Sequence, residues 1–308
     1  MNVLCSVPGI FLFVLPFIKH VSKSDILSVK ILVLVDDYAG FTNLLAEHGL
    51  SIMASIEYRD GTMYKILFDT GQSGEVLLKN MQKLSLNPSE FDAIVLSHRH
   101  YDHTGGLVRL LESTGSKPVI AHPDIEKPNY ADRGGFKKFN LGFTRQDIEA
   151  LRMRGELVLS RKPLELAPNV WFLGEIPRVY DNSYAVKGFL TLEGGEIVPD
   201  QMLDDTGVAI KLGNKAVVLA GCSHSGISNI AAQAKRLTGV EELSIIGGLH
   251  TASATDSEVE RIASELKALG VSELHAGHCT GFNGIRVFHR IYGEKLRIIH
   301  SGYRAIFV

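Results

Sequence analysis

The chain of 308 residues carries 32 Lys and Arg against 34 Asp and Glu, a formal charge of -2, and three cysteines. That length allows one large domain with a full core of its own, and the balanced charge, with no sustained run of one sign, advertises no nucleic-acid surface. Cys5, Cys222 and Cys279 form no CxxC pair and no even framework, which argues against a disulfide-stapled secreted fold and for a reducing, cytoplasmic compartment.

Residues 1–28 read as an apolar N-terminal extension. Val3 to Ile18 is almost wholly apolar but contains Pro8, Gly9 and Pro16 and has no Lys or Arg before Lys19. A spanning helix wants roughly 20 apolar residues with few breakers, and a signal peptide wants a basic start and a small-residue cleavage site. The stretch meets neither pattern well, so it is expected to be an arm packed on the protein or a segment outside the working domain. Membrane association through residues 1–18 is the alternative.

From Val29 the pattern alternates. Strands are expected at Val29 to Val35, Leu50 to Tyr58 and Met63 to Phe68, with Arg59-Asp60-Gly61 as the turn of a hairpin. A helix over Gly74 to Leu84 precedes a strand ending at Ser97, and a second helix is entered through Thr104-Gly105-Gly106. After a short strand within Pro118 to Asp124, residues 125–155 read as a basic, irregular insertion or lid. Further strands are expected at Glu156 to Leu159, Val170 to Leu173, Gly207 to Leu212 and Ala216 to Ala220, then a helix over Ile227 to Leu237. The chain closes with a strand at Leu243 to Ile246, a helix over Asp256 to Leu269, a strand at Ser272 to Ala276, a helix near Gly284 to Ile291 and a last strand at Leu296 to Ile299. Strand runs followed by helices in both halves predict an α/β fold, an αββα sandwich of two mixed sheets with helices on the outer faces, over residues 29–308.

The chemistry concentrates in "LSHRHYDHTGG", Leu96 to Gly106. Side chains alternate along an extended segment, so His98 and His100 leave a strand on one side and can hold one metal ion. Asp102 and His103 follow where the chain turns into a helix and can face a second. Imidazole with carboxylate suits one or two divalent ions, zinc, iron or manganese, and leaves positions open for water or substrate.

This motif, with "FDTG" at Phe68 to Gly71 one hairpin earlier, resembles the metallo-β-lactamase superfamily over nearly everything after Val29. The resemblance implies that Asp69 lies under the motif and orients it. It also implies a later His, a bridging Asp at a strand end and a final His, and here the chain departs. "GCSHSG", Gly221 to Gly226, replaces the usual Gly-Asp, so that Cys222 stands where the aspartate would. His224, in the glycine-bounded "GCSHSG", and His278, beside Gly277, each at the carboxyl end of a strand, are the expected further ligands. His250 is either a ligand or a residue that shapes the pocket, and Asp204 or Asp205 either replaces the bridging carboxylate or serves a turn. Cys222 is a thiolate ligand or a small buried residue. Of His20, His48, His122, His275, His289 and His300, most are read as non-ligands, and His122 is left open.

"LVDDYAG", "AHPD", "GEIPR", "IGGLH" and "HCTG", together with these motifs, resemble the 7,8-dihydropterin-6-yl-methyl-4-(β-D-ribofuranosyl)aminobenzene 5'-phosphate synthase branch. That branch implies a transferase of methanopterin-type cofactor biosynthesis, joining a dihydropterin methyl diphosphate to ribofuranosylaminobenzene 5'-phosphate with release of diphosphate. Arg178, and the insertion's Arg133, Lys137, Lys138 and Arg145, are candidates to hold phosphate oxygens of small-molecule substrates. Tyr38, Tyr101 or Phe282 is a candidate to stack on a pterin. The competing readings are a metal-dependent hydrolase of a phosphoester or lactone and a non-catalytic metal or redox sensor.

Overall fold

The computed structural model describes residues 25–132 and 138–308. Val3 to Ile18, Arg133 and Lys137 lie outside the described residues. The first of two seven-stranded sheets runs Arg304–Phe307, Ile26–Val35, Ser51–Tyr58, Met63–Phe68, Ala93–Val95, Pro118–Ala121, Glu156–Leu159. The second runs Leu296–Ile298, Val271–Gly277, Glu242–Gly248, Lys215–Ala220, Gly207–Leu212, Val170–Phe172, Leu164–Ala167. In each sheet the pairing is antiparallel on one side and parallel on the other, where helices make the crossovers.

Alternation along the strands decides the layers. Ile52, Ile66 and Phe68 of the first sheet meet Val208, Ile210 and Leu219 of the second in a central core. The opposite faces are covered by helices: Leu77, Met81, Leu107, Leu110 and Leu151 pack outside the first sheet, and Ile230, Ile262 and Phe288 outside the second. This is the αββα sandwich expected from the pattern of elements. Among the described residues, no helix is long and apolar enough to cross a membrane.

Two expectations need correction. The described residues within 125–155 form regular elements: Asn129–Asp132 pairs with Lys138–Asn140 and with Phe189–Glu193, which in turn pairs with Glu196–Pro199, making a separate four-stranded sheet. Arg145–Arg154 is a helix opened by a capping box between Thr144 and Asp147. Both strands are only three or four residues long, too short for a local period to mark them, and the second partner of Asn129–Asp132 lies about sixty positions on in the chain. Glu156–Leu159, expected as a strand, is one and lies in the first sheet, parallel to Pro118–Ala121. Finally, Leu296–Ile298 is not the last strand, since Arg304–Phe307 returns to pair with Ile26–Val35.

The sandwich brings the carboxyl ends of Ala93–Val95, Lys215–Ala220, Glu242–Gly248 and Val271–Gly277 to one edge, and the expected ligands follow those ends. Close strand approach there depends on Gly247, whose φ is +138° and where an added Cβ would stand 1.8 Å from the Ala220 carbonyl oxygen. Gly247→Ala is therefore expected to lower stability by about 3 kcal/mol or more. Urea unfolding checks this, and a loss within the range of ordinary surface substitutions would show that the strand end can shift.

Candidate metal centre

His98, His100, Asp102 and His103 of the motif after Ala93–Val95 are buried, with His100 preceding the short helix Tyr101–Thr104. Its rings stack against residues from the far half of the chain. Ring centroids of His98 lie 4.6 Å from His100, 4.2 Å from His103 and 4.8 Å from His224, and His103 lies 5.0 Å from His278. His250 reaches the cluster through His224, at 4.1 Å.

Two donor sets share one sulfur. Asp102, His103, Cys222 and His278 offer ligand atoms that all lie within 4.8 Å of one another, and so do His98, Cys222 and His224. The Cys222 Sγ is 3.2 Å from His103 Nε2 and 3.3 Å from His278 Nε2. The Asp102 carboxylate stands 3.4 Å from His103 Nε2 and 3.3 Å from His278 Nε2. His100 enters neither set: its Nε2 faces Asn129 Oδ1 at 2.9 Å.

The electrostatics suit a cation. Burial, reinforced by neighbouring imidazoles, pushes His98 and His224 well below the ordinary histidine pKa, so both are neutral. Their Nε2 atoms are buried with no hydrogen-bond partner. Such orphaned groups cost about 1–3 kcal/mol each, and a divalent ion would satisfy them. At His103 burial works against the charged form, but Asp102 and Asp69 overcome it and lift the pKa to about 9. A cation of borderline softness fits this set of imidazole, carboxylate and thiolate.

Neighbouring groups fix the donors. Asp69, in the left-handed region at φ +59°, accepts from Ser97 N and Ser97 Oγ, both at 2.7 Å, and its carboxylate stands 2.7 Å from His103 Nδ1. That contact turns His103 Nε2 toward Cys222. Arg99 lies buried between the histidines, its guanidinium paired with Asp200 and Asp204 while its backbone N–H donates to Asp204 Oδ2 at 2.8 Å. Both Asp204 oxygens are thus spent on Arg99. Asp205 Oδ2 accepts from Ser225 N and Oγ, whereas its Oδ1 is buried without a partner, 3.9 Å from His98 Nδ1. Burial pushes the Asp205 pKa up to about 6.

Arg178 donates to the carbonyls of Ile176, Gln201 and Met202, so its guanidinium clamps the loop that leads to Asp204. Arg145 is exposed and pairs with Glu149. His122 faces Glu175 at 3.0 Å. Sequence reasoning did not single out Asp37 and read His48 as a non-ligand. Asp37 Oδ1 lies 2.7 Å from His278 Nδ1, Asp37 Oδ2 lies 3.0 Å from His48 Nδ1, and these three residues form a further possible donor set. The available signal was the "DD" closing the first strand, whose partner is 241 positions away. Phe189, from the four-stranded sheet, walls the centre, its ring 4.8 Å from His100 and 5.0 Å from His224.

Residues 55–278 match the family model of the metallo-β-lactamase superfamily. The chain is 34% identical over 296 residues to the 7,8-dihydropterin-6-methyl-4-(β-D-ribofuranosyl)-aminobenzene-5'-phosphate synthase of Methanocaldococcus jannaschii, covering 92% of this chain and 98% of that one. The crystal structure of Tm1679, described as a metal-dependent hydrolase of the β-lactamase superfamily, superposes with a TM-score of 0.75 and 28% identity over 90% of this chain and 98% of that one. The metallo-β-lactamase fold protein YhfI of Bacillus subtilis shares the fold, with a TM-score of 0.54 and 17% identity over 91% and 99% of the two chains.

Two substitutions test the frame around the donors. Asp69→Asn, which weakens the grip on His103 while keeping shape, is expected to cost about 10–100-fold in zinc affinity with the fold intact, as read by titration calorimetry. Arg99→Met, which leaves Asp204 buried and unpaired, is expected to lower unfolding free energy by about 3–5 kcal/mol; an unchanged denaturation midpoint would show that the pair is dispensable.

Proposed function

Because the chain belongs to the metallo-β-lactamase superfamily, we propose that it is a metal-dependent transferase that joins a dihydropterin methyl diphosphate to a ribofuranosylaminobenzene 5'-phosphate. It would work in the cytoplasm, in methanopterin-type cofactor biosynthesis, as one domain from about residue 29. The likeness to the synthase over nearly the whole of both chains is the observation that carries this reading.

On this reading His98, His100 and His224 would hold one divalent ion, and Asp102, His103 and His278 a second, with Cys222 offering its sulfur to both. When bound, one or two ions of zinc, iron or manganese supply Lewis acidity and neutralise the charge of a departing diphosphate. The bond from the pterin methylene carbon to the diphosphate oxygen breaks, the bond from that carbon to the aryl amine nitrogen forms, and the nitrogen loses a proton. Asp69 keeps His103 oriented throughout, and Phe189 excludes water beside His100 and His224. A water kept out is a hydrolysis avoided.

The replacement of a carboxylate by Cys222 also favours transfer over hydrolysis. A carboxylate between two ions helps to organise a shared hydroxide, and neither Asp204 oxygen is free to take that part. The likeness to Tm1679 favours the second reading, a metal-dependent hydrolase of a phosphoester or lactone. The two separate in one assay: metal-loaded protein with the pterin diphosphate, with and without the aryl amine, beside a generic aryl phosphodiester. Diphosphate release is expected to rise about tenfold or more in kcat/KM when amine is added and to exceed diester turnover. Efficient diester hydrolysis, with no effect of amine, would establish the hydrolase instead.

A further inference from the structure

Cys222 follows the strand Lys215–Ala220 and Cys279 follows Val271–Gly277, and Glu242–Gly248 runs between those two strands. Positions two strands apart in a sheet are about 10 Å from each other, beyond the reach of a disulfide. Both cysteines lie past their strand ends, in turns not held to that spacing, and the middle strand ends in Gly247-Gly248, which puts no side chain between them. A Cβ added at Gly248 would stand 2.5 Å from the Cys279 Sγ, so that sulfur fills the space a side chain would need. The result is contact: Cys279 Sγ is 3.5 Å from the Cys222 carbonyl oxygen, and the two sulfurs and a His250 ring nitrogen all lie within 4.8 Å of one another.

The surrounding backbone holds this approach in place. Ala252 N donates to Cys279 O, Leu249 N to Thr280 Oγ1, and Thr251 Oγ1 to Thr280 O, tying the Cys279 turn to the loop after the middle strand. Ser223, His250 and His278, in the three turns concerned, have φ of +63°, +50° and +48°. Non-glycine residues adopt such values at a cost, and here the cost is met in the three turns that meet at the sulfurs. Cys222 is buried while Cys279 is only partly so, which makes Cys279 the member of the pair nearer to solvent.

We propose that Cys222 and Cys279 are a redox modification site that closes to a disulfide on reaction with a peroxide. The Cys279 sulfur attacks a peroxide oxygen, the O–O bond breaks, and a sulfenic acid forms with loss of one water, or of the alcohol where the peroxide is organic. The Cys222 sulfur then attacks the Cys279 sulfur, the S–S bond forms, the S–O bond breaks, and a second water leaves. Two thiols are oxidised to one disulfide as the peroxide is reduced. The consequence rests on the reading of Cys222 as a donor in the metal centre, since a sulfur in a disulfide no longer offers a thiolate to the ions held with His103 and His278.

The test uses the full chain, metal-loaded and metal-stripped, treated with hydrogen peroxide and followed by intact mass, non-reducing peptide mapping and metal content. A mass loss of two hydrogens, a cross-linked peptide pair containing Cys222 and Cys279, and reversal by dithiothreitol are expected, with metal released from the loaded protein as the cross-link forms. Cys279→Ser should lose the cross-link. Oxygen added separately to either cysteine, a cross-link through Cys5, or both thiols remaining free would overturn the proposal. A cross-linked protein that keeps its full metal would uphold the disulfide and remove Cys222 from the metal centre, so the two ideas fail separately.

Discussion

The candidate centre hangs on the buried carboxylate of Asp69. It is fully shielded from solvent, yet each of its oxygens has a partner: Ser97 N on one, and Ser97 Oγ with His103 Nδ1 on the other. A carboxylate so placed is tolerable only because those contacts replace water. Gly221 closes the arrangement, since a Cβ there would come within 2.1 Å of Ser97 Oγ and 3.1 Å of Asp69 Oδ2. One side chain therefore sets the distance between the turn after Met63–Phe68, the histidine motif and the turn that carries Cys222. The shared sulfur is in the right place because Asp69 is.

A second buried charge ties in the four-stranded sheet. Arg99 pairs with Asp200, Asp200 accepts from Asn129 Nδ2 at 2.6 Å, and Asn129 Oδ1 faces His100 Nε2. The segment that reads in sequence as an attached insertion is thus part of the wall, since Asn129 opens one of its strands and Phe189 another. Charge at Arg99 does structural work in the interior, while Arg178 does similar work on the loop just upstream of Asp204. Neither guanidinium is left as a spare anion holder.

What could be read from the sequence was what is local. The alternation of apolar residues marked most strands of both large sheets, and six positions carried enough chemistry in "HRHYDH" to announce a cation site. Glycine close to histidine at strand ends was enough to bring His224 and His278 into view. Contacts between distant segments were not readable. Nothing in "DDYAG" says that Asp37 will meet His278, and nothing marks Arg99 as buried, because a charged residue between histidines looks like a solvated one. Asp204 and Asp205 illustrate the same limit: adjacent carboxylates read alike, but one is bound to an arginine and the other to a serine.

The pairing of Arg304–Phe307 with Ile26–Val35 has a consequence for how the protein is made. The first long strand of the first sheet must wait for one of the last to be synthesised before both of its edges are covered. Until then a run of Ile, Leu and Val exposes unpaired backbone on one side, the kind of template on which chains aggregate. The centre shares this delay, because the contact of Asp37 with His278 closes a loop of similar span. High contact order slows folding, so the nascent chain spends that interval with a sticky edge and an incomplete donor set, and metal can reward only the finished topology.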